Sequence, residues 1–98
     1  MNKYRTHNCS QLTEEDIDKS ILLSGWLHRK RDHGNLLFID LRDNYGITQC
    51  VIENNNKFFH ILEKTKPESV LKINGKVVKR ATGTENKDLK TGKIEVSI

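Results

Sequence analysis

From Ile21 onward the apolar residues of the chain recur at every second position, the repeat of a strand with one face in a core. The repeat returns in five separate runs, and the fold has to join them. In the first, Ile21, Leu23 and Leu27 share a face with Gly25 between them, and Ser24, His28 and Lys30 lie on the other. A glycine in mid-strand marks a bend or bulge, which a tightly curled sheet needs. The polar stretch His28–Asn35 ends in Gly-Asn and reads as a connection. The second run, Leu36 to Arg42, sets Leu37, Ile39 and Leu41 on one side and Leu36, Phe38, Asp40 and Arg42 on the other. Asp43-Asn44-Tyr45-Gly46 reads as a hairpin connection. The third run, Ile47–Ile52, carries Gln49 on a mixed face.

The period then changes. Phe58, Ile61 and Leu62, spaced i, i+3, i+4 behind Asn54-Asn55-Asn56, predict a short helix that Pro67 stops. A fourth strand is expected over Val70–Ala81, with Leu71, Ile73 and Val77 on one face around Gly75. A polar loop, Thr82–Gly92, leads to a fifth strand over Lys93–Ile98, where Ile94, Val96 and Ile98 alternate with Glu95 and Ser97. Residues 1–20 form a polar N-terminal extension. Within it Thr13 is placed as the N-cap of a short helix opening Glu14-Glu15-Asp16, stapled by Leu12 and Ile17. Three meander strands, a helix and two strands is the element order of the OB-fold, a five-stranded Greek-key barrel. Other small α+β folds share that order. The expected class is all-β with one or two short helices, the barrel occupying 21–98 of a single 1–98 domain. Alternation runs to the last residue, so the chain is expected to be a fragment of a longer protein.

Ninety-eight residues allow one core. Seventeen basic and 13 acidic residues leave a net charge of +4, a mixture of signs that argues against disorder and admits a nucleic-acid partner. The longest apolar run is Leu36–Ile39, far too short to span a bilayer, and no secretory leader is evident. A cytoplasmic protein with reduced Cys9 and Cys50 is expected. Those cysteines and His7, His28, His33 and His60 show no metal-ligand spacing. Neither a phosphate-binding glycine loop nor a dinucleotide pattern is present. No catalytic residue, metal or cofactor is assigned to this chain.

Binding residues stand out instead. With Leu37, Ile39 and Leu41 inward, Phe38 points outward on the strand that OB barrels use as a nucleic-acid platform, where it can stack on a base. On the residues alone it can equally pack beneath a loop. Arg29, Lys30 and Arg31 lead into that strand and suit a phosphate-contacting rim, or a merely solvated surface. Gln49 offers both a donor and an acceptor to a base edge. Glu95 fits a polyanion site only if it accepts hydrogen bonds from a base, and guanine presents two donors side by side. Otherwise it is a strand-end carboxylate beside Lys93.

Several blocks together carry a family resemblance. Leu23-Ser24-Gly25-Trp26-Leu27-His28-Arg29-Lys30-Arg31-Asp32-His33-Gly34, then Leu37-Phe38-Ile39-Asp40-Leu41-Arg42-Asp43 and Tyr45-Gly46-Ile47-Thr48-Gln49, resemble the N-terminal domain of bacterial-type aspartyl-tRNA synthetases. Tyr4-Arg5-Thr6-His7 and Thr91-Gly92-Lys93-Ile94-Glu95-Val96 match that family's opening and last barrel strand. Asparagine and lysine relatives share the barrel but usually lack the Arg-Lys-Arg-Asp-His-Gly sequence. The departures are Leu27 for valine, Thr48 and Cys50 at usually aliphatic positions, and Lys93 where Glu is frequent.

The resemblance implies an OB-fold anticodon-binding domain. Its parent would be a homodimeric class II ligase that joins aspartate to tRNA through an aspartyl-adenylate, with ATP and Mg2+ bound in a separate catalytic domain. It implies that Phe38 stacks on an anticodon base, Gln49 reads the middle uracil and Arg31 contacts the anticodon. It further implies that Glu95 reads the first-position guanine or its queuine form and that Asn86 approaches the anticodon. At His33, members strict for tRNA(Asp) often carry Leu, whereas His is common in those that also charge tRNA(Asn). Both tRNAs are therefore expected partners, and the isolated domain is expected to be a monomer. The competing reading is a stand-alone OB module binding single-stranded nucleic acid without sequence preference.

Overall fold

In a computed structural model, residues 6–80 and 91–98 are described. Five strands, β1 (Ser20–Asp32), β2 (Leu36–Arg42), β3 (Ile47–Glu53), β4 (Val70–Lys79) and β5 (Ile94–Ser97), close into a barrel in the order β1-β2-β3-β5-β4. All neighbours are antiparallel except β3 and β5, which run parallel through Cys50↔Val96 and Val51↔Ser97. This is the OB topology expected from the element order. The inward residues of the alternating runs fill the core, from Ile21, Leu23 and Leu27 through Leu37, Ile39 and Leu41 to Ile94 and Val96.

β1 is longer than its apolar pattern suggests, because it serves two neighbours in turn. Ser20–Trp26 pairs with β4, and Trp26–Asp32 pairs with β2. Gly25 sits at the exchange, where a Cβ would press into the carbonyl of Arg42. The segment from His28 to Asp32 is therefore strand, not the polar connection its composition suggests. The turn is confined to 33–35, with Gly34 at φ 75°.

A β-bulge between Leu27 and Arg29 changes the facing of everything beyond it. One extra residue at His28 reverses the in–out alternation. Lys30, placed outward by simple counting, instead pairs with the inward Ile39, while Arg29 and Arg31 pair with the outward Asp40 and Phe38.

The helix α1 (Phe59–Lys64) follows β3. Its buried residues are Phe59 and Leu62, whereas Phe58 and Ile61 are 47% and 62% exposed, so the apolar face lies one residue on from the expected one. Just before the helix Asn56 accepts the Phe58 N–H on Oδ1, and its Nδ2 donates to the carbonyl of Ile98. The N-cap itself is Phe58, and no side chain bonds the first turn there.

The N-terminal segment belongs to the core. Cys9 and Leu12 are buried with the barrel residues. The Cys9 N–H donates to Asp43 Oδ2 at 2.9 Å, and its carbonyl accepts from Thr48 Oγ1 at 2.8 Å. Thr48 is polar at a barrel position because it ties down this segment. Thr13 caps a single 3-10 turn, Glu14–Asp16, with the reciprocal bond from its own N–H to Asp16. Among the described residues, no helix is long and apolar enough to cross a membrane.

Candidate nucleic-acid interface

Three strands set out a small grid on the barrel's outer face. In one row the register aligns Arg31, Phe38 and Val51; in the next it aligns Arg29, Asp40 and Gln49. Residues two apart on one strand share a face, so every side chain of this grid points outward. β5 brings Glu95 to the same region, opposite Val78 of β4. Together Arg31, His33, Phe38, Gln49, Val78, Arg80 and Glu95 line an open groove of about 520 Å³.

Phe38 is half-buried on this outer face and lies outside the core cluster. His33 stands against its ring at 84°, centroids 5.1 Å apart, and the Arg31 guanidinium carbon lies 5.8 Å from the centroid. Arg31 reaches across β2. Its Nη2 donates to Gln49 Oε1 at 2.7 Å and to Asp40 Oδ1 at 3.1 Å. Gln49 is only 6% exposed, and its amide oxygen is taken up by the guanidinium.

Glu95 is half-buried. Burial pushes its carboxyl above the usual glutamate range, and the positive charge of Arg80 partly opposes that shift. Arg80 is itself buried and donates from Nε to the carbonyl of Ile94. The groove thus offers a carboxylate in a partly dry setting, an amide and an aromatic ring within one cavity.

Of the expected site residues, the fold gathers Arg31, His33, Phe38, Gln49 and Glu95 around one groove. Arg29 is exposed one row further along. Lys30 is turned elsewhere: its Nζ donates to the carbonyls of Glu63 and Thr65, each at 2.7 Å, at the C-terminal end of α1. The bulge is the physical reason that Lys30, expected as a phosphate contact, instead lies against the end of α1 in this structure. Asn86 and most of the 82–92 loop lie outside the described residues. Reading the sequence passed over Arg80 and Asp40. The Greek-key pairing of β4 with β5 is the signal for the first; the second needs the Arg31 contact.

The matching family model is that of an OB-fold nucleic acid binding domain, tRNA anti-codon type, and it covers residues 21–98. The chain belongs to this family of tRNA anticodon OB domains. Over its whole length the domain is 64% identical to the aspartate--tRNA(Asp/Asn) ligase of Pelagibacter ubique and 53% identical to that of Bradyrhizobium diazoefficiens. It spans 16% and 17% of those relatives' lengths. Among solved structures, the asparaginyl-tRNA synthetase of Pyrococcus horikoshii, complexed with asparaginyl-adenylate, is similar at a TM-score of 0.77 and 26% identity. That match covers 93% of the domain and 20% of the synthetase chain. An OBody bound to hen egg-white lysozyme shares the fold at a TM-score of 0.79 and 16% identity, over 99% of the domain and 90% of the OBody.

Proposed function

We propose that this domain reads the anticodon for a ligase that attaches aspartate to tRNA(Asp) and to tRNA(Asn). The observation that carries the reading is the convergence of Phe38, Gln49, Arg31 and Glu95 on one groove of a family member. Phe38 supplies a stacking face for one base. Glu95 accepts from N1–H and the exocyclic amine of a first-position guanine, and Gln49 pairs with the middle uracil. The exposed Arg29 contributes a phosphate contact. His33, set against Phe38, meets the third base, where the two tRNAs carry cytosine and uracil. A neutral imidazole has one donor and one acceptor and can serve either edge.

Adenylate formation with ATP and Mg2+ belongs to the remainder of the parent, which we take to be a cytoplasmic homodimer, with the isolated domain monomeric.

The test is charging of tRNA(Asp) and tRNA(Asn) transcripts by the full-length parent, wild type and His33→Leu. Wild type should charge both, and the variant should lose tRNA(Asn) selectively. Charging of tRNA(Asp) alone by wild type would refute the dual specificity. In parallel, oligo-dT competing as well as an anticodon stem-loop for the domain would favour the module without sequence preference.

A further inference from the structure

The least expected group beside the groove is Asp40. It contributes no surface to the cavity, yet it sits directly opposite Gln49 in the strand register and within bonding distance of Arg31. Nη2 of Arg31 is shared between Asp40 and Gln49, so one nitrogen ties strands β1, β2 and β3 together across the outer face. The Arg31 side chain accepts a cost to be there. Its Nε is buried and has no hydrogen-bond partner among the described residues. The Asp40 carboxylate forms an ion pair with this guanidinium at 3.1 Å and so opposes its swinging away from Gln49.

The consequence falls on Gln49. An arginine side chain has donors and no acceptor, so only the oxygen of the Gln49 amide can face it. The planar amide then has no choice about its other atom: Nε2, a donor, is what remains to present to the groove. Without the guanidinium the amide could rotate by half a turn and present its oxygen instead. Between the two pyrimidines, the exocyclic group at position 4 is an acceptor in uracil and a donor in cytosine. A donor held toward that position favours uracil, whereas a freely rotating amide accepts either base.

We infer that Asp40, acting through Arg31, locks the Gln49 amide with its donor toward the RNA and so makes the middle anticodon position selective for uracil over cytosine. Asp40 is a positioning residue that does not touch the base. This rests on the reading of Gln49 as the middle-base contact.

Binding of the chain to two anticodon stem-loops, identical except for uracil or cytosine at the middle position, tests it by fluorescence anisotropy. Wild type should prefer uracil by at least about fivefold, as one well-formed base contact provides. Asp40→Asn should bring that ratio close to one while leaving the preference at the first base intact, and Asp40→Glu should restore it. Gln49→Glu should reverse the preference toward cytosine, because both carboxylate atoms accept. Adding Asp40→Asn to Gln49→Glu should leave the reversed ratio where it is. If wild type prefers uracil and Asp40→Asn prefers it equally, the locking role falls and the reading of Gln49 stands; if Gln49→Glu still selects uracil, the reading of Gln49 as the middle-base contact falls with it. If wild type itself does not distinguish the two, both fall.

Discussion

Glu95 meets two opposed demands. Burial strengthens any hydrogen bond its carboxylate accepts, and the same burial raises the cost of its charge. Its folded-state pKa lies above its unfolded value, so the native state holds the extra proton more tightly. The stability this contributes is complete below the unfolded pKa and is lost as pH rises through the folded one. Glu95→Gln cannot ionise. It should melt at a higher temperature than wild type at pH 7, with the difference closing below about pH 4, the ordinary glutamate range. The same variant should lose its preference for a first-position guanine, because an amide offers one acceptor where guanine needs two. Thermal melts across pH beside stem-loop titrations check both halves; an unchanged guanine preference would leave Glu95 only a surface charge. At Phe38 the two effects separate. Phe38→Ala should weaken stem-loop binding by about 1–3 kcal/mol with little change in melting. Ile39→Ala, one residue along but in the core, should cost about 2–5 kcal/mol of stability. A Phe38 variant as unstable as the Ile39 one, with binding intact, would put the ring in the core.

Among the elements, β1 decides which cations lie on the barrel's outer face. Lys30 spans from β1 to the last carbonyls of α1, where a positive charge also suits the helix dipole. Lys30→Met should lower stability by about 1–2 kcal/mol and leave the salt dependence of RNA binding unchanged. Arg29→Gln should do the opposite, keeping the melting temperature and reducing the salt slope by about one. A flattened slope with Lys30→Met would return that residue to the interface. The difference between these neighbours is not legible in sequence. Between His28 and Asp32 every residue is polar, so no apolar marker records the reversal of facing at the bulge. β2 is the contrary case, because Leu37, Ile39 and Leu41 keep strict alternation and place Phe38 outward without ambiguity. In α1 the adjacent Phe58 and Phe59 permit two registers, and in so short a helix the core, not the periodicity, chooses between them. Asp40 was out of reach for another reason. Beside Arg42 and Asp43 it reads as a strand-end charge, and its bond to Arg31 exists only once β1 and β2 are paired.

For the whole molecule, the net charge of +4 is modest, and the outer face around the groove mixes Arg29, Arg31 and Arg80 with Asp40 and Glu95. Such a surface attracts a polyanion weakly at long range, so discrimination has to come from contacts inside the groove. The closed barrel fixes the spacing of β1, β2, β3 and β5, and the lashing of Cys9 to Asp43 and Thr48 ties the N-terminal segment to the same barrel. Backbone amide chemical-shift mapping during titration with an anticodon stem-loop tests this placement most directly. The largest changes should fall at Arg31, His33, Phe38, Gln49 and Glu95, with α1 and the turn at Glu14–Asp16 unmoved. Changes concentrated on the exposed Phe58 and Ile61 side of α1, with the groove residues silent, would contradict it.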